Sequence, residues 1–91
     1  MMKEQAQFQA RQAADEAHAA IQSWQDFNNQ LVGVLRTYSE RYGTGSDLAM
    51  MKARSDPRVT DLISQRDYYL QRTIMHTTMA IMHTLMKDED E

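Results

Sequence analysis

Three histidines and one acidic tetrapeptide are the residues of this chain whose types could do chemistry. "DEAH", Asp15 to His18, spells a nucleotide-dependent metal-binding motif. That motif works at a strand end beside a glycine-rich phosphate loop, and the sequence supplies neither. Asp15 and His18 also stand at the carboxylate-x-x-His spacing of di-iron bundles, which needs companion glutamates on the facing helices. The second half offers Asp61 and Asp67 instead, far from His18. His76 and His83 belong to a phrase said twice, "IMHTTMA" then "IMHTLM", running from Ile74 to Met86. On one helix they would stand about 10.5 Å apart, too far for a single metal with bonds near 2 Å. Only His18 beside His83, or a ring of His76 from several chains, would gather a ligand set. The sequence therefore predicts no metal and no cofactor, with the histidines bordering an apolar face, hydrogen-bonded or wet.

Other chemistry is scarce. No Ser-His-Asp order, cysteine nucleophile or paired buried carboxylate appears, so no enzymatic activity is expected. A net charge of −3 gives no footprint for nucleic acid, whose binding depends on phosphate neutralisation. No apolar h-region or run of roughly 20 apolar residues points to a membrane. A location in the cytoplasm or within a virus particle is the expectation. At 91 residues without a cysteine, the chain has no disulfide to supplement a small core. Oligomerisation is the remaining route to burying apolar surface.

The elements that position these residues are helices. Ala10, Ala13, Ala17, Ala20, Trp24, Phe27, Leu31, Val34 and Tyr38 recur at alternating steps of three and four, an unbroken heptad stripe. A second column, Ala14, Ile21, Asn28, Leu35 and Tyr42, widens it. Gly33 is a local weakness, costing about 1 kcal/mol against alanine. The first helix is predicted over about 3–42. Gly43 then suits a left-handed C′ position, Ser46 an N-cap, and "DLAMMKAR" two turns of short helix. Ser55 or Asp56 can cap a second long helix with Pro57 at its first position, predicted over about 57–87 and followed by an acidic tail at 88–91. The whole is one all-α domain, 1–91: an antiparallel hairpin of two long helices with a short helical connector at about 43–56, completing a bundle by association.

Two columns share the second long helix. Ile63, Leu70, Ile74, Ile81 and Leu85 form one, and Tyr68, Met75, Met79, Met82 and Met86 form the other. With Tyr42 opposite Pro57 or Arg58, facing positions sum to about 100 in residue number, given the shared 1.5 Å rise of both helices. The more regular Ile/Leu column is expected to pack on Ala13, Ala17, Ala20, Trp24, Phe27, Leu31, Val34 and Tyr38 as the core between helices. The Tyr/Met column is left as the partner interface.

The length, the two antiparallel helices and the absence of cysteine and signal peptide resemble the WXG100 (ESAT-6-like) group, whose dimers form four-helix bundles. The resemblance implies a helical-hairpin binding module. This chain departs from that group's Trp-x-Gly turn: Trp24 lies in "WQD" in mid-helix, and the turn reads "YGTG". No functional residue is carried over. The sequence points first to a structural or assembly subunit that packs on copies of itself or into a larger particle. An adaptor or chaperone-like module, using the methionines as an adaptable groove, is the alternative. Partners are expected to be protein in either case, with no small-molecule substrate.

Overall fold

A computed structural model describes residues 2–89, and the fold is the expected all-α one. Helix α1 spans Met2–Tyr42, α2 spans Asp47–Arg54 and α3 spans Pro57–Glu89. The two long helices α1 and α3 pack against each other as a helical hairpin. The short α2 occupies the connector. Among the described residues there is no strand. Of the acidic tail, Asp88 and Glu89 continue α3, while Asp90 and Glu91 lie outside the described residues.

Each break has a local cause. Gly43 adopts φ 101°, a left-handed conformation that ends α1, and its N–H donates to the Ser39 carbonyl at 2.9 Å. Ser46 then caps α2 by accepting the Ala49 N–H at 3.1 Å. Asp56, rather than Ser55, caps α3: its Oδ1 accepts the Arg58 N–H at 2.8 Å, with Pro57 at the first helical position.

Two compact units make up the chain. The central unit, 23–68, holds the end of α1, all of α2 and the start of α3. Its core is Leu31, Ala53 and Val59, with Val34, Tyr38 and Leu62 packed on it. The Tyr38 hydroxyl donates to Asp56 Oδ2 at 2.5 Å, and the same oxygen accepts Arg58 Nη2 at 2.9 Å. These donors, Arg58 first and then Tyr38, hold the Asp56 carboxyl well below the usual carboxylate range, while the bond to Asp56 pushes the Tyr38 phenol up. Lys52 and Arg41 both sit about 6 Å from the Tyr42 ring, placing α2 beside the end of α1.

The terminal unit, 1–22 with 69–91, is built differently. Among the described residues its buried ones are Ala6, Ala13, Ala17, Ala20 and His76, with no large aliphatic side chain in the set. Alanines let two helices approach closely but bury little apolar area each. The seam between helices is therefore thin here.

Candidate interaction surface

The side of α3 that meets α1 is neither of the two expected columns. Ile63, Leu70, Ile74, Ile81 and Leu85, expected as the core against α1, are exposed by 37 to 59%. A third stripe takes their place: Val59 and Leu62 in the central unit, then Tyr69, Thr73, His76, Ala80 and His83 in the terminal one. With Arg66, these positions alternate in steps of three and four without a break, as a coiled-coil seam requires. The Ile/Leu column steps by seven and four instead, so it leaves gaps along a straight seam. On α1 the expected stripe faces inward: Ala13, Ala17, Ala20 and Leu31 are buried, and Trp24, Phe27, Val34 and Tyr38 are half-buried.

The register also differs from the expected sum of about 100. Within the terminal unit Glu16 faces His76, and within the central unit Asn28 faces Arg66 and Tyr38 faces Asp56. These pairs sum to 92 or 94 in residue number. The cap of α3 closes on Tyr38, one turn before the end of α1, because α2 packs beside the last turn.

His76 is accordingly not a border residue but a buried one, 6% exposed. Its Nε2 lies 3.2 Å from Arg72 Nη2. A guanidinium only donates, so Nε2 accepts and the ring proton belongs on Nδ1. Nδ1 lies 3.0 Å from Glu16 Oε2, close enough to pair but off the line of a hydrogen bond. His83 is half-buried, with its Nδ1 buried and unbonded, in a groove of about 250 Å³ lined by Gln9, Gln12, Ala13, Glu16 and Met79. His18 turns instead to Gln22, with 3.3 Å between the side chains. Among the described residues no group of three or more His, Cys, Asp or Glu is placed to hold a metal ion.

At about 100° per residue, the inner stripe, the Ile/Leu column and the Met column divide the circumference of α3 into thirds. With α1 on the first third, the other two form the open flanks. Tyr68, Met75, Met79, Met82 and Met86, the expected partner interface, are all exposed in the single chain. The Ile/Leu flank continues onto α1 across an apolar groove of about 280 Å³, lined by Ala10 and Ala14 of α1 and by Thr77, Ala80, Ile81, Thr84 and Leu85 of α3. Ile21, seven residues beyond Ala14 on the same face of α1, extends it. From Thr73 to Met86, four turns of α3 carry no Asp, Glu, Lys or Arg on any side. No described helix is long and apolar enough to cross a membrane.

Both flanks were visible in the sequence as columns. The missed features were the burial of His76 and the clamp of Tyr38, Asp56 and Arg58. Only the uninterrupted three-and-four spacing of the inner stripe signalled the former. Comparison with family models, with curated proteins and with solved structures finds nothing that matches this chain.

Proposed function

We propose that this chain is a non-enzymatic structural or assembly subunit, whose α3 flanks pack against further protein chains to form a homo-oligomer or a larger multi-subunit particle, such as a virion. One observation carries this: the terminal unit is inverted in its apolar partition. Its interior holds alanines and a histidine, while Phe8, Ile21, Leu70, Ile74, Met75, Met79, Ile81, Met82, Leu85 and Met86 are all on the surface. Single exposed apolar residues are ordinary, but contiguous patches above a few hundred Å² mark interaction sites. Covering a side chain of this size is worth roughly 1.5–3 kcal/mol before the entropy of association is subtracted. A thin alanine seam and a wide uncovered surface together favour a chain that completes its core by association, in the cytoplasm or inside a particle.

Thermal melting followed by circular dichroism at several protein concentrations tests this. Folding coupled to association makes the melting temperature rise with concentration. A melting temperature independent of concentration over two decades would refute self-assembly. It would direct attention to an adaptor that keeps the flanks available for other proteins.

A further inference from the structure

The two open flanks of α3 are not equivalent, because only one continues into an apolar groove on α1. On that flank Leu70, Ile74, Ile81 and Leu85 stand at intervals of four, seven and four. The set reads the same in both directions about a midpoint between Thr77 and Thr78. All four are exposed, by 44 to 59%.

Resting on the assembly function proposed above, we infer that the occupant of this flank is a second copy of the chain, its α3 laid antiparallel on the first about a two-fold axis between Thr77 and Thr78. Two-fold contacts are isologous: if one position meets another, the reverse contact also forms. Around this axis Leu70 meets Leu85 of the second copy and Ile74 meets its Ile81. The groove walled by Ile81 and Leu85 and floored by Ala10, Ala14 and Ala80 then receives Leu70 and Ile74 of the second copy. Its volume of about 280 Å³ suits two aliphatic side chains. Small floor residues and large incoming ones are complementary.

Area and charge agree with this occupant. Taking a whole Ile or Leu at roughly 200 Å², the four side chains alone offer on the order of 400 Å², half of the roughly 800 Å² that each partner gives a stable interface. Ile21 and the groove floor add to that from α1. Parallel pairing would also bring like onto like, but it would set the acidic ends together. Residues 87–91 carry Lys87 against Asp88, Glu89, Asp90 and Glu91, net −3, whereas residues 64–68 carry Arg66 against Asp67, net zero. Antiparallel pairing about this axis sets the acidic end level with that neutral stretch and so avoids the repulsion, an advantage that weakens with salt.

The chain has no cysteine, so single-cysteine variants can be read directly by a short bis-maleimide. Thr77→Cys and Thr84→Cys both change exposed groove-lining threonines and leave the four aliphatic residues in place. In the antiparallel pair, position 77 lies about 1.5 Å along the axis from its own copy, and position 84 about 20 Å from its copy. Thr77→Cys should shift from the 10.6 kDa band to one twice as heavy, while Thr84→Cys should not. Linking of both would show a parallel pair and overturn this inference while leaving assembly standing. Linking of neither, in variants that light scattering shows to be oligomeric, would exclude this flank as the contact between copies. Monomeric variants beside a monomeric parent would overturn the pairing and self-assembly together, and linking of Thr84→Cys without Thr77→Cys would overturn the pairing alone.

Discussion

The Tyr38 hydroxyl donates a 2.5 Å hydrogen bond to the carboxylate of Asp56, the residue that caps α3. One side chain late in α1 thereby fixes where α3 begins, and with it the register of the central unit. Because Arg58 and Tyr38 hold the Asp56 carboxyl below its unfolded value, its contribution is complete above about pH 4 and is lost as pH falls further. Asp56→Asn should lower the melting temperature at pH 7 by roughly 5 °C. The gap to the parent should narrow toward pH 2. An equal gap at both pH values would show that the carboxylate charge does not matter.

Gly33 lies exposed in the middle of α1, and a Cβ added there would meet no atom within 4 Å. Its only evident effect is the backbone freedom it adds to the unfolded chain. Gly33→Ala should therefore stabilise the protein by about 0.5–1 kcal/mol, measured by urea unfolding. Destabilisation would mean that this stretch of α1 is covered in the assembled protein.

How much of this was legible follows from what each signal encodes. Gly43, Ser46 and Pro57 punctuate the chain through backbone chemistry, and that chemistry acts locally, so the element boundaries could be read within two residues. The stripe of α1 from Ala13 to Tyr38 was legible because one partner covers one face. On α3, three stripes compete for a single covering helix, and hydrophobicity alone favours the Ile/Leu column. The winner contains Thr73, His76 and His83, because the facing alanines admit a close approach and the His76 ring finds Arg72 and Glu16 at its nitrogens. That is a tertiary criterion, invisible in a column count. The Tyr38 to Asp56 contact was hidden for the same reason: it depends on how α2 takes up the turn.

His76 fills the interior of the terminal unit between Arg72 and Glu16. His76→Ala should cost about 1–3 kcal/mol in chemical denaturation, from lost packing and polar contacts. The oligomer should persist wherever the variant is folded, since the ring faces α1 and not the open flanks. Loss of association without loss of helicity would place His76 in an interface instead.

Met79 and Met82 lie on the second open flank, exposed in the single chain. We expect Met79→Glu combined with Met82→Glu to keep the helical circular-dichroism spectrum and to weaken association at least about a hundredfold, given the roughly 1.5–3 kcal/mol at stake for each methionine. A double variant that elutes like the parent would remove the methionine flank from the interface, leaving the Ile/Leu flank to carry it.

Whether the uncovered flanks of α3 are the chain's means of assembly is read from the mass of the pure protein in solution. Sedimentation equilibrium on the unmodified chain, without any partner, should return a defined multiple of 10.6 kDa at micromolar concentration. A single species of 10.6 kDa persisting to millimolar concentration would contradict self-assembly.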